Sequence, residues 1–211
     1  KQQQDKKGLS SQPTINRIYP EEPDTINEQL CKISLDVSQP QLLIGFKDID
    51  VGYDGRPLFK KELTVAILLD ILFGKSSELY ESLYEEGLID ERFSFSYEGQ
   101  KDYGFCAIGG ETKDPEKLYN KVLKCIAENK QKGISQEELE RVKKKFIGGF
   151  IQGFNSLEFI ASSFVSYYHK NINLFDYVRV IDEITINDLN ERLKLLFNTS
   201  RHARSIVLPK T

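Results

Sequence analysis

Histidine is scarce in this chain: only His169 and His202 occur in 211 residues. Neither has a Glu or a second His at metal-ligand spacing. A zinc site needs three or four donors converging at about 2.0–2.3 Å, so a self-contained zinc site is excluded, and the motif His-x-x-Glu-His is absent. Cysteine is limited to Cys31, Cys106 and Cys125. These are widely spaced, odd in number and free of any Cys-x-x-Cys pattern, which argues against a disulfide framework and suits a reduced, cytoplasmic setting. Excess positive charge is missing too. With a net charge of −3 and a pI near 5.6, the chain has no global field to attract nucleic acid. The longest apolar run, VAILLDILF at 65–73, is broken by Asp70 and is too short to cross a bilayer, so no membrane partner is expected. Phosphate loops are lacking as well: GG at 109–110 has no Lys-Ser/Thr after it, and GGFIQG at 148–153 lies inside a helical pattern.

What remains is an ordinary globular composition, 39% hydrophobic and 29% charged, in a chain long enough for one large domain with a sizeable core. It opens on Lys1 with a polar stretch that has no apolar signal core, and reads as a piece of a longer polypeptide. Residues 1–30, with Pro13, Pro20 and Pro23 among polar residues, read as a linker or extended tail able to dock through Tyr-Pro-Glu-Glu-Pro, and residues 31–211 as the folded domain.

Apolar periodicity orders the elements. The continuous Leu42-Leu43-Ile44 run predicts a strand near 41–47 buried on both faces. Residues 61–73 are apolar on almost every side and predict a core helix stopped at Gly74, with Asp70 at its rim or paired with a Lys. Leu79 with Leu83 and Tyr80 with Tyr84 are one turn apart, giving an amphipathic helix ended by Gly87. Phe93, Phe95 and Tyr97 alternate with serines, and FCAIGGET returns antiparallel to them. Asp114-Pro115 opens a helix with the stripe Leu118, Val122, Cys125, Ile126. Ser135 and Glu138 form a capping box at the head of a long helix that continues through Leu139, Val142, Phe146 and Phe150, where Gly148, Gly149 and Gly153 predict a bend or close helix contact. NSLEFIASSFVSYYHK is a further amphipathic helix. Thr185 and Asp188 cap another, with Ile184 and Leu189 placed as a staple, and SIVLP closes as a strand. Together these predict an α+β fold, with helices packed on one mostly antiparallel sheet.

No reactive constellation emerges within this pattern. Cys106 sits in an apolar strand without an activating cation and reads as a core residue. Glu85 and Glu86 point in different directions on their helix, and RVKKK at 141–145 reads as a solvated helix face rather than an RNA contact.

LLDILFGKSSELYESLYEEGLID resembles a segment of pitrilysin/insulinase-type metallopeptidases, whose usual form runs Leu-Phe-x-x-Leu-Arg-x-x-x-Gly-Leu-x-Tyr. GGETKDPEKL, KGISQEELERVKKKFIGGF, NSLEFIASSF and IDEITINDLNE follow in that family's order, over residues 32–209. The resemblance, which is to the processing-peptidase-like bacterial branch, implies two similar α+β half-shells closing around a peptide. Zinc and its general base belong to the N-terminal half, and this chain is similar to the C-terminal inactive domain, with no catalytic, cofactor or metal residue of its own. It also implies an N-terminal zinc-bearing half, a peptide substrate and a homologous subunit as partners. One departure stands out. The Arg and Tyr, seven residues apart, that many second halves use on the peptide carbonyl or oxyanion are not matched: Leu83 or Tyr84 stands nearest the Arg, and Asp90 takes the Tyr position. Tyr84, Asp90 and Arg92 are the candidate peptide contacts. The function expected is a peptide-binding, chamber-closing half of a zinc metalloendopeptidase, inactive alone. The alternative is a non-enzymatic interaction or assembly subunit of the same fold.

Overall fold

The Leu42–Ile44 run forms β2 (Gln41–Asp48), at the centre of a five-stranded sheet in a computed structural model that describes residues 21–210. The other strands are β1 (Leu30–Leu35), β3 (Ser94–Gly99), β4 (Gly104–Glu111) and β5 (His202–Pro209). Their spatial order is β1-β5-β2-β4-β3, antiparallel throughout except for the parallel β1–β5 pair. The α+β expectation holds.

Seven helices among the described residues join these strands: α1 (Gly55–Phe73), α2 (Glu78–Glu85), α3 (Pro115–Lys132), α4 (Gln136–Gly153), α5 (Leu157–His169), α6 (Tyr177–Asp182) and α7 (Ile186–Leu196). Their starts follow local chemistry. The side chains of Ser77, Asp114, Ser135 and Thr185 each accept a backbone N–H of the first turn, and Ser135/Glu138 and Thr185/Asp188 are complete capping boxes. The end of α2 follows from backbone freedom: Gly87 takes φ 61°, which glycine adopts at little cost.

The core lies on one face of the sheet. Leu42, Ile44 and Phe46 of β2, Cys106 and Ile108 of β4 and Ile206 of β5 point into it, against α1, whose Val65, Ile67, Leu68 and Phe73 are completely buried. Each such side chain contributes roughly 1.5–3 kcal/mol by leaving water. The α3 and α7 stripes, through Leu118, Val122, Leu189 and Leu193, complete the layer, and Ile184 is buried beside them.

Three expectations change and one strand is new. First, β2 is buried on one face only: Leu42 and Ile44 are 1% and 0% exposed, but Leu43 between them is 51% exposed, because helices pack on a single side of the sheet. Second, β1 forms inside a stretch with no alternating burial, since all six of its residues are exposed. Of the 1–30 linker reading, residues 1–20 lie outside the described residues, while Glu22 docks on Lys47 at 3.0 Å. Third, Gly148 and Gly149 face open space. At Gly153 an added Cβ would lie 2.5 Å from the Phe159 ring, so close approach is needed only there. Fourth, the RVKKK face is solvated at Arg141, Lys144 and Lys145, as expected, but it also tethers other elements. Arg141 donates to Ser76 (2.7 Å), the buried Lys143 donates to the Asp182 carbonyl (3.2 Å), and Lys145 pairs with Asp70 (2.6 Å), which fulfils the pairing expected of Asp70.

Candidate functional site

With helices on one side, alternation along the strands assigns the opposite set of side chains to a bare face, covered by no helix among the described residues and touched at Lys47 by Glu22. In β2 these are Leu43, Gly45 and Lys47, and the register places them beside Gly109, Ala107 and Phe105 of β4 and, for the first two, Ser205 and Ala203 of β5. Leu43 and Phe105 are 51% and 44% exposed, and Ile33 and Leu35 of β1 extend the apolar surface at the far edge. Small residues form the floor between these larger ones. Gly109 cannot grow, because a Cβ there would lie 2.0 Å from the Leu42 carbonyl oxygen. Ser94, Ser96 and Glu98 of the edge strand β3 continue the face on the other side.

Next to Glu111, at the end of β4, opens a cleft of about 390 Å³ lined by Tyr84, Gly87, Leu88, Asp90, Glu111 and Lys113 among others. The structure therefore brings Tyr84 and Asp90 together on one wall. Tyr84 is half exposed and its ring stacks on Tyr80 at 6.1 Å. Arg92 is held at the rim: its Nε donates to Asp90 (2.9 Å) and its Nη1 to Glu111 (2.8 Å). The Arg92 hydrogen bonds hold the Asp90 carboxyl below the usual carboxylate range, and Asp90 in turn raises the guanidinium. Leu83, the other residue near the family's Arg position, is 0% exposed and belongs to the core. The cleft thus offers a phenol, carboxylates and the Lys113 ammonium, with the Arg92 guanidinium at its rim already neutralised by two acids. Such groups can hold a peptide backbone, but the Arg92 guanidinium would have to leave its partners before it could face a developing oxyanion.

Neither histidine is near this cleft by contact. The Nδ1–H of His202 donates to the Thr199 carbonyl and its Nε2 accepts from the Tyr119 hydroxyl, both at 2.6 Å, while its ring stacks on Phe46. His169 is exposed at the end of α5. Among the described residues, no three His, Cys, Asp or Glu side chains are grouped to hold a metal, and these donors do not fit zinc. Cys106 is buried, and desolvation pushes its thiol up to about 12.

A family described as the Peptidase M16 inactive domain matches residues 1–146. The chain belongs to that family. It is 36% identical, over its whole length, to an uncharacterized zinc protease YmfH of Bacillus subtilis (strain 168), of which it covers 49%. The crystal structure of an M16-like peptidase from Alicyclobacillus acidocaldarius superposes with a TM-score of 0.93 at 31% identity, over 99% of this chain and 50% of that one. A Helicobacter pylori protease shares the fold at TM-score 0.77 and 20% identity, over 94% of this chain and 48% of that one. The chain therefore spans about half the length of these relatives, and the M16 inactive domain accounts for its α+β half-shell.

The bare face was missed in the sequence because Leu43 and Phe105 read locally as ordinary strand residues. A second unannounced feature is a buried polar network under the other face. Lys61, 7% exposed, pairs with Asp48 at 2.8 Å, and Tyr97 donates to the same carboxylate at 2.7 Å. Lys61 also donates to the Asp50 carbonyl, and the Asp50 carboxylate bonds Arg192 and Tyr53. Burial and the Asp48 charge raise the Tyr97 phenol far above its ordinary range, so the hydroxyl stays a donor. Lys61 interrupts an apolar helix pattern, which was the only available signal.

Proposed function

We propose that the chain is the peptide-binding, chamber-closing C-terminal half of an M16 zinc metalloendopeptidase, non-catalytic on its own and working in the cytoplasm. Zinc, its base and its hydroxide come from the N-terminal half or a partner subunit. The observation that carries this reading is the bare sheet face. Among the described residues, a sheet with helices on one side only exposes apolar Leu43, Phe105, Ile33 and Leu35 over a floor of small residues, which suits an extended chain lying flat against it. Tyr84, Asp90 and Arg92 would receive that peptide where the face ends at Glu111. Substituting Leu43→Glu and Phe105→Glu in the intact parent polypeptide should raise KM for an extended peptide by roughly tenfold with little change in kcat, the signature of lost uniform binding. An unchanged KM would remove the sheet face from the binding path.

The second reading, an assembly subunit that binds protein without supporting proteolysis, is favoured by one observation: Leu83 is buried and Arg92 is closed onto two carboxylates. Peptide cleavage by the intact parent, alone and with its partner chains, separates the two. Chelator-sensitive cleavage supports the peptidase half, and silence in every combination supports assembly.

A further inference from the structure

Helix α5 has no buried residue, yet its sequence LEFIASSFVSYYH is mostly apolar. Two stripes explain this. Phe159, Ile160 and Tyr167 lean inward and are half-buried, with Tyr167 against Phe59 at 4.9 Å between ring centroids. A second stripe at i, i+4, i+7, i+8 and i+11, namely Leu157, Ala161, Phe164, Val165 and Tyr168, points outward with no charged residue in it. Leu157 is 85%, Val165 53% and Tyr168 68% exposed. Ile151 at the end of α4 (62% exposed) and Phe175 (68% exposed), whose ring neighbours Phe154, are further exposed apolar side chains in neighbouring elements. A 13-residue helix is marginal in water without packing on its apolar face.

We infer that this outward stripe of α5 is the seat of the other half of the parent polypeptide, an inference that rests on reading the chain as one half of an M16 protein. Two observations select that occupant. The relatives carry about as much chain again as is present here, so each has a further body to cover surface. The stripe is also small: five side chains offer on the order of a few hundred Å², below the roughly 800 Å² per partner of a free-standing complex. A contact of that size is stable when its partner is tethered on the same polypeptide, where the effective concentration is millimolar. A second, untethered copy lacks that advantage.

Hydrogen exchange of α5 amides, measured in the intact parent and in the 211-residue chain, tests this. Protection in the parent should exceed that in the isolated chain by roughly tenfold or more, and Phe164→Ser with Tyr168→Ser should erase the difference. The same double variant should lower the melting temperature of the isolated chain by only a few degrees, because Phe164 and Tyr168 are 49% and 68% exposed there and pack mainly on each other. Equal exchange in both forms overturns the inference. So does protection in the isolated chain that grows with its concentration, which would assign the stripe to a second copy, or protection in the parent only after peptide is added, which would assign it to substrate. None of these outcomes depends on the KM test of the sheet face.

Discussion

Single side chains carry the sharpest energetic tests. Lys61, Asp48 and Tyr97 form a buried group whose members satisfy one another. Removing one of the two charged members, Lys61 or Asp48, leaves an uncompensated buried charge, which costs about 3–5 kcal/mol, whereas removing both costs less than the sum. Lys61→Met is therefore expected to lower stability to urea by about 3 kcal/mol, and Lys61→Met with Asp48→Asn by clearly less than the two single losses added. Strict additivity would show that the pair is not coupled. Glu86 behaves differently because it is exposed. Its bonds to Lys121 and Lys117 hold its carboxyl at about 2, down from 4.5. A depressed carboxyl means that the unfolded chain binds the proton more readily, so the stabilisation is complete above pH 4.5 and fades as the pH falls towards about 2. Melting curves across that window should flatten in Glu86→Gln, and the wild-type slope should shrink in 1 M salt, which screens exposed pairs.

At the level of elements, cap chemistry was legible because it is local. Ser135 and Glu138 lie three residues apart and meet in the first turn whatever packs around them. Ser135→Ala should cost about 1 kcal/mol, read by chemical denaturation, and a loss below a few tenths would mean the box is redundant. Strand burial was less legible. Leu43 is apolar, but whether its face is covered depends on chain that lies far away in sequence or in another body, and three consecutive apolar residues cannot report that. β1 was unreadable for the same reason: it is held by hydrogen bonds to β5, some 170 residues on, and buries no side chain to leave a periodic trace. Of the candidate contacts, Tyr84 and Asp90 were named from their places around Gly87-Leu88, and the structure sets both on the lining of one cleft. The closure of Arg92 onto Glu111 was not legible, because it needs the end of β4 brought back beside residue 92.

For the molecule as a whole, the division of labour has a direct check. The described residues group no metal ligands, so adding zinc to the purified chain should not raise its melting temperature. A ligand held only by the folded state would raise it in proportion to the logarithm of its concentration, and a rise of that form would reveal a site formed by this half. The strand order carries a consequence for biosynthesis. β5 is the seam between β1 and β2, yet it is translated about 150 residues after β2. At ribosomal speeds the early strands wait on the order of ten seconds for their neighbour. During that interval the hydrogen-bonding edge of β2 stands open on the nascent chain, an exposed strand edge of the kind that invites pairing with other chains.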